Sequence, residues 1–208
     1  MPLTYFVSAL VTLIVVVDPI GLVPTFLAVT HGSSQEERRG IAVRACFIAG
    51  AILVGAALLG NWLLRVLGIT LPAFRIAGGL LLFSVAYEMV LGVRIDRQSK
   101  QCEEAIEERV SDVAAFPLAI PLMAGPGAIT ATLLLVGQAR TEPLLLAALL
   151  GTVLLAVAAC LAAFLVATRI DRLLGITGNV VLSRLLGVLL AALAVQFIID
   201  GMRAVLPA

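Results

Sequence analysis

No charged residue interrupts residues 143–168, which read PLLLAALLGTVLLAVAACLAAFLVAT. An α-helix rises 1.5 Å per residue, so about 20 apolar residues are enough to cross a hydrocarbon core of roughly 30 Å. This stretch therefore predicts a transmembrane helix.

Other parts of the chain and its overall composition agree with a membrane location. Of the 208 residues, 62% are hydrophobic and 13% are charged, whereas a soluble domain carries roughly a quarter charged residues. The sequence predicts an all-α membrane protein with six transmembrane helices. The five further spans are approximately residues 4–30, 41–64, 71–93, 113–136 and 180–199.

Lysine and arginine residues predict the orientation, because cytoplasmic loops carry an excess of them. Ten of the 14 Lys and Arg residues fall on one side of the six spans and four fall on the other. The richer side is predicted to be cytoplasmic. An even number of spans then places both termini outside.

Several short matches relate the two halves of the chain. The sequence LGIT at residues 67–70 recurs at 174–177, and DPIG at 18–21 is echoed by GPGA at 125–128, each 107 residues later. Arg75 and Gly78 match Arg184 and Gly187, 109 residues later. We predict a first three-helix repeat at 1–93, a charged cytoplasmic linker at 94–112 and a second repeat at 113–208. Because each half has an odd number of spans, the repeats are predicted to be inverted.

Proline and glycine interrupt the first helix of each half. The first span contains DPIGLVPT at residues 18–25, and the fourth contains PLAIPLMAGPGAITAT at 117–132. Proline lacks an N–H group and clashes with the preceding turn, and glycine tolerates irregular backbone. The pattern predicts that helices 1 and 4 are broken near the middle of the membrane.

Two broken helices that enter from opposite faces are predicted to meet and form a binding site. The N–H groups and the positive end of a helix suit a carboxylate or another small anion. Asp18 is the candidate for proton coupling, because an unpaired carboxylate at membrane depth is costly. A structural N-cap role for Asp18 and a pure packing role for the breaks remain alternatives. The predicted substrate-binding residues are Asp18, Pro19, Gly21, Pro24, Thr25, Gly125, Pro126, Gly127, Thr130 and Thr132.

The remaining polar residues predict little further chemistry. Glu88 lies near a helix end and is predicted to be interfacial, and Arg94 begins what is predicted to be a solvated linker. The sequence contains no nucleophile–base set, phosphate-binding loop or metal cluster, so we expect neither an enzyme nor a cofactor. A net charge of +1 gives no indication of a nucleic-acid partner. The expected partners are membrane lipid and a small-molecule substrate, and small-residue helix faces also permit a homo-oligomer.

The motifs DPIGLVPTF at residues 18–26 and PLAIPLMAGPGAI at 117–129, together with the chain length, resemble the MarC family of bacterial inner-membrane proteins. The resemblance covers essentially the whole chain. The family is placed near the LysE-type amino-acid exporters, and some members are described as transporters of small neutral amino acids. The resemblance thus implies a multi-pass protein of the inner membrane that moves such a solute.

The leading hypothesis is a secondary transporter of a small neutral amino acid or similar metabolite, with proton coupling at Asp18 as an option. Alternating access would rock one half against the other around the broken helices. The alternatives are a translocase for a phosphate-bearing lipid and a passive channel. Inward-facing side chains of Arg44, Arg75 or Arg184 would favour the lipid hypothesis.

Overall fold

The computed structural model describes residues 2–94, 97–100, 112–139 and 142–205, and within these residues it contains helices and no strand. Most of the predicted linker 94–112 lies outside the described residues. The fifth helix is an irregular helical segment with extended backbone at Phe116 and Ile120. The helices are α1 Pro2–Val17, α2 Val23–Val29, α3 Gln35–Val66, α4 Leu71–Leu91, α5 Ala114–Met123, α6 Pro126–Ala139, α7 Pro143–Leu165 and α8 Ala167–Val205.

The class of all-α membrane protein is confirmed by the length and apolar character of these helices. Helices α3, α4, α7 and the part of α8 from Thr177 to Val205 are each long and apolar enough to cross a membrane. Helices α5 and α6 make a further span that is bent by 52°. Residues Leu3–Val17 of α1 form a shorter apolar helix, which α2 follows after a break. Four of the predicted spans therefore correspond to long apolar helices and a fifth corresponds to the bent pair, whereas the first coincides with the shorter α1 and the break after it.

Large apolar side chains cover much of the outer surface. Phe47, Trp62 and Leu144 are exposed by 76%, 58% and 65%. Exposed apolar groups of this size are costly in water and favourable in lipid. The interior packs α1, α3, α6 and α7 around residues such as Leu13, and it includes stacked rings of Phe26 and Phe164 with centroids 4.5 Å apart.

Both LGIT segments contain a glycine with a positive φ angle. Gly68 has φ 68° and Gly175 has φ 59°, a left-handed conformation that glycine adopts without steric cost. Thr70 then caps α4, because its side chain accepts a hydrogen bond from the Ala73 N–H. Thr177 occupies the corresponding place at the start of the long part of α8.

Helices α4 and α8 pack closely along three glycines, which we call the glycine seam: Gly79, Gly187 and Gly201. A Cβ on Gly79 would lie 2.8 Å from the Ala194 carbonyl oxygen, and one on Gly187 would lie 2.8 Å from the Met89 Cβ. Both distances are too short for a side chain. The seam therefore lets the two backbones approach more closely than larger residues would permit.

The contacts between α4 and α8 are reciprocal. A Cβ on Gly201 would lie 3.1 Å from the Arg75 Cβ, and one on Gly92 would lie 3.7 Å from Arg184 Nη2. Gly201 follows Gly92 by the same 109 residues that separate Arg184 from Arg75. Arg75 thus lies beside Gly201, and its sequence counterpart Arg184 lies beside Gly92, the counterpart of Gly201.

Candidate functional site

The first break lies between the end of α1 at Val17 and the start of α2 at Val23. Asp18 has φ 55°, a left-handed conformation that is uncommon outside glycine. Its Oδ1 accepts a hydrogen bond from the Gly21 N–H at 3.0 Å. Asp18 therefore caps the turn that precedes α2, whereas the N-cap of α2 itself is Leu22.

Asp18 is almost fully buried, with only 3% of its surface exposed. Arg94 and the hydroxyl of Ser183 are the charged and polar neighbours that act on its carboxylate. The charges of Asp18 and Arg94 are not in direct contact, because the described residues contain no N–O pair between them within 4.0 Å. Asp18 is thus a buried carboxylate whose counter-charge lies nearby but is not bonded to it.

The second break separates α5 from α6. A Cβ on Gly125 would collide with the Pro121 carbonyl oxygen, so the chain can turn here only with glycine. Pro126 is the first residue of α6, and the Gly125 carbonyl accepts a hydrogen bond from the Ile129 N–H at 3.0 Å. Proline suits this first position because its missing N–H would have no partner within the helix. The predicted break is confirmed at these residues.

A cavity of about 290 Å³ lies beside the second break. The start of α6 forms part of its wall, and the first N–H groups of a helix have no partner within that helix. The cavity also borders the C-terminal half of α4, the end of α1 and the residues that follow α4. Its lining residues are Val16, Leu81, Ser84, Val85, Glu88, Arg94, Arg97, Gln98, Pro121, Leu122, Gly125, Pro126, Gly127 and Ala128.

The two broken helices meet at this cavity. A Cβ on Gly127 would lie 3.4 Å from Val16 Cγ1 and 3.3 Å from Val85 Cγ2, so α6 begins against the end of α1 and against α4. Arg94 Nη2 donates a hydrogen bond to the Val16 carbonyl at 3.0 Å. The break after Val17 leaves the last carbonyls of α1 without partners in the helix, and Arg94 satisfies one of them.

Two polar atoms in the cavity wall are buried and unpaired. Arg94 Nη1 and Glu88 Oε2 have no hydrogen-bond partner among the described residues. The other oxygen of Glu88, Oε1, accepts a hydrogen bond from Arg97 Nη1 at 2.8 Å. The cavity wall therefore contains one buried donor and one buried acceptor that are unpaired within the described part of the chain.

The predicted site residues separate into those that line the cavity and those that do not. Gly125, Pro126 and Gly127 line it, whereas Asp18 and Gly21 form the turn of the first break with Pro19 between them. Pro24 borders a much smaller pocket of about 10 Å³ on another side. Thr25 is buried away from the cavity.

The two threonines of α6 have local contacts. Thr132 donates a hydrogen bond to the Ala128 carbonyl at 2.8 Å within its own helix, and Thr130 packs its methyl group near Gly78 of α4. Both are buried. Neither lines the cavity in the part of the chain that the structure describes.

Glu88 and Arg94 are two of the cavity residues that the sequence did not indicate. The prediction that Arg94 lies in a solvated linker is wrong at this residue, which is only 6% exposed. Gly92 ends α4 with φ 82°, and a glycine at a helix end is a signal that the chain turns there. That signal could have predicted a change of direction after α4, but not the contact with Val16.

The three arginines that would favour lipid handling do not point into the cavity. Arg44 pairs with Asp112 at 2.6 Å and its side chain is 65% exposed. Arg75 lies beside Gly201, and Arg184 is exposed beside Gly92. Among the residues lining the described cavity, none of the three is present.

The long apolar helices, the two breaks and the polar cavity define the chain as a multi-pass α-helical membrane protein. Residues 3–206 match the family described as MarC family integral membrane protein, and the chain belongs to this family. The resemblance noted in the sequence is thereby confirmed.

Curated relatives agree over nearly the whole length. The chain is 38% identical to a UPF0056 membrane protein of Methanocaldococcus jannaschii, covering 99% of this chain and 100% of that protein. It is 38% identical to a UPF0056 membrane protein of Aquifex aeolicus, covering 97% and 94%. It is 34% identical to the UPF0056 membrane protein YhcE of Escherichia coli, covering 94% and 90%. No solved structure shows a significant match.

Proposed function

We propose that this chain is a secondary transporter of a small neutral amino acid or similar metabolite in the bacterial inner membrane. The observation that carries the proposal is the cavity of about 290 Å³ at the meeting point of two broken helices. Its volume is at the lower end of the roughly 300–1,000 Å³ typical of ligand pockets. Discontinuous helices that meet at a substrate site are characteristic of secondary transporters.

The proposed architecture is six transmembrane helices in two inverted three-helix repeats, with both termini outside. The reciprocal contacts of Arg75 and Arg184 support a two-fold relation between the halves. The positive φ angles of Gly68 and Gly175, which occupy equivalent places in the two LGIT segments, support it too. In this arrangement, the halves at 1–93 and 113–208 rock against each other around the cavity, joined by the linker at 94–112.

The proposed mechanism divides its tasks between the two breaks. The N-terminus of α6, together with Arg94, attracts the carboxylate of the solute. Asp18 is the proposed site of proton coupling, because a buried carboxylate without a direct ion pair is stable only if its charge is balanced or protonated. The proposal includes no catalysis and no cofactor.

The lipid translocase and the passive channel gain no support from the site. Arg44, Arg75 or Arg184 at the cavity would have favoured lipid handling, and none of the three lines it. We therefore retain the transporter as the single proposed function.

Transport in proteoliposomes tests the proposal. Uptake and efflux of alanine, glycine and serine would be measured with and without a pH gradient, comparing the wild type with Asp18→Asn. Glu36→Gln serves as the matched control, because it also removes one carboxylate charge but lies exposed in the first turn of α3. We expect gradient-dependent transport that Asp18→Asn abolishes and Glu36→Gln retains.

Two other results would change the proposal. Intact transport in Asp18→Asn would remove proton coupling from Asp18 and leave it as a helix cap. A wild-type protein that moves none of the three amino acids would overturn the proposed substrate class.

A further inference from the structure

A second pocket, of about 190 Å³, lies where four helix ends meet. The end of α2, the start of α3, the end of α7 and the start of α8 form its wall. It shares no lining residue with the cavity at the two breaks. The pocket is therefore a separate feature that the proposed transport mechanism does not use.

Two neighbouring arginines of α3 form the basic side of this pocket. Arg38 Nε donates a hydrogen bond to the Thr30 carbonyl at 3.2 Å, which holds the side chain against the end of α2. Neither Arg38 nor Arg39 has a carboxylate oxygen within 4.0 Å among the described residues. The positive end of the α3 dipole lies at the same place. This side of the pocket thus suits an anion.

The acidic residues nearest in sequence do not neutralise the pocket lining. Glu36 and Glu37 directly precede the two arginines, but neither lines the pocket. The Glu37 carboxylate accepts a hydrogen bond from the Ser34 N–H at 2.8 Å, so it is engaged in the cap of α3. An anion in the pocket would meet the arginines with no acidic side chain in the wall.

The opposite side of the pocket is apolar. Phe26 and Phe164, whose rings stack with centroids 4.5 Å apart, both line it. Leu165 also lines the pocket and is more than half exposed, so the apolar wall continues onto the outer surface. The volume is below the roughly 300–1,000 Å³ of pockets that enclose a whole ligand. The pocket therefore suits the charged head of a molecule whose apolar part lies outside, against the protein surface.

The start of a helix at this place does not itself require arginine. Positions 107 residues after Arg38 and Arg39 are Leu145 and Leu146, in the first turn of α7. Helix α7 begins there without basic side chains. The basic pair is thus a feature of one half of the chain, on the side predicted to be cytoplasmic.

We propose that this pocket binds the head group of an anionic phospholipid. Arg38 and Arg39 donate hydrogen bonds to the phosphate, a group that guanidinium binds well. The acyl chains lie outside against Leu165 and the apolar surface. Basic pockets between transmembrane helices on the cytoplasmic side are suited to such head groups. The lipid stays bound at the protein surface, so the inference is independent of the proposed transport function and differs from lipid translocation.

Competition experiments on the wild-type chain test the kind of ligand. Radiolabelled dioctanoyl phosphatidylglycerol would be bound to the full chain in detergent and competed with the unlabelled lipid, dioctanoyl phosphatidylcholine or inorganic phosphate. Phosphatidylcholine has the same acyl chains but no net charge, and inorganic phosphate has the charge without the chains. We expect each to compete at least about tenfold more weakly than phosphatidylglycerol, because each lacks one of the two kinds of contact.

A charge variant assigns the head group to the arginines. Arg39→Gln is expected to weaken phosphatidylglycerol binding about tenfold, because one charged donor to the phosphate is lost. Arg169→Gln is the matched control: it removes the same charge from an exposed residue of α8 that does not line the pocket. Arg169 also lies about 200° around the helix from Ala167, which does line it.

A steric variant tests whether the pocket itself is needed. Thr168 lines the pocket and is exposed, so Thr168→Trp adds bulk there without altering any charge. We expect this variant also to weaken phosphatidylglycerol binding about tenfold, by loss of the space for the head group and its contacts. Leu173→Trp, on an exposed residue of α8 outside the pocket, is the control for added bulk. Thermal unfolding would show that each variant is folded.

Three results would overturn the inference. Equal competition by phosphatidylcholine would show that charge is not recognised, and equal competition by inorganic phosphate would make this a site for a free anion. Equal weakening in Arg39→Gln and Arg169→Gln would mean that only the diffuse positive charge of this side attracts the lipid. Unchanged binding in folded Thr168→Trp would place the lipid outside the pocket.

Discussion

The two breaks are built in different ways. At the first break, the Asp18 side chain accepts a hydrogen bond from the Gly21 N–H, and Arg94 donates one to the Val16 carbonyl. At the second break, Gly125 and Pro126 leave the start of α6 facing the cavity. The first break is thus closed by charged side chains, and the second leaves bare backbone open to a ligand. Under the proposed function, proton coupling and ligand binding are assigned to two different turns that the sequence motifs present as counterparts.

The largest expected effect is that of Gly125→Ala. The added methyl group would collide with the Pro121 carbonyl, which is backbone and cannot rotate away. We expect a loss of stability of about 3 kcal/mol and loss of alanine binding, since overpacking at a fixed position typically costs 1–3 kcal/mol. Thermal unfolding of the purified protein measures the first effect.

Gly151→Ala is the control for this prediction, because a Cβ there would meet nothing within 4 Å among the described residues. That variant should be neutral or slightly more stable, since alanine favours a helix more than glycine does. Equal unfolding temperatures for the two variants would contradict a rigid second break.

The next largest effect is expected for substitutions of Asp18, which separate its role as a cap of the turn from its proposed role in proton coupling. Asn tolerates the left-handed conformation and its side-chain oxygen can still accept from the Gly21 N–H, whereas Ala does neither. We expect Asp18→Ala to lose about 1–2 kcal/mol of stability and Asp18→Asn to lose much less. Both variants should lose gradient-driven transport, because both lack the charge. If Asp18→Asn instead keeps most of its transport and only the less stable Asp18→Ala loses it, Asp18 acts as a cap alone.

Gly21→Ala should have a smaller effect than Gly125→Ala, although a methyl group collides in both places. At Gly21, the group that the new methyl would contact is the Asp18 carboxylate. This side chain can rotate away if it gives up its hydrogen bond from the Gly21 N–H. We expect a loss of about 1 kcal/mol, the usual contribution of one such bond. Unfolding of Gly21→Ala would be compared with Gly40→Ala, whose Cβ would meet nothing within 4 Å in the described structure. A loss as large as that of Gly125→Ala would show that both breaks are equally rigid.

The smallest effect is expected for a variant of the α3 cap, which lies outside both breaks and provides a baseline for the other variants. Ser34 and Glu37 form a reciprocal cap at the start of α3, with bonds of 3.3 Å and 2.8 Å. Ser34→Ala should lower stability by about 1 kcal/mol or less and leave transport unchanged. Ser33→Ala is the neighbouring control. A transport defect in Ser34→Ala would mean that changes far from the breaks also reach the site.

The sequence predicted the helices and breaks because their causes are local. Apolar length predicts a span, and the prolines and glycines near Asp18 and Gly125 interrupt a helix wherever it lies. The cavity depends on contacts between distant parts of the chain. Arg94 bonds to a carbonyl 78 residues earlier, and no local pattern fixes such a pairing. The hydrogen bond of Thr132 to the Ala128 carbonyl could have been predicted from the sequence, because a threonine inside a helix commonly donates to the carbonyl four residues before it.

The glycine seam between α4 and α8 has a consequence for the rate of conformational change. Side chains that interlock across a helix pair must disengage before the helices can turn relative to each other, and this raises the energy barrier. At Gly79, Gly187 and Gly201, only the partner helix contributes side chains, such as Ile198 and Ile76, and these have no opposing side chain with which to interlock. If the halves rock during transport, this contact line can serve as their pivot with little unpacking. Bulkier residues along it would then slow the cycle even where they leave the affinity for the solute unchanged.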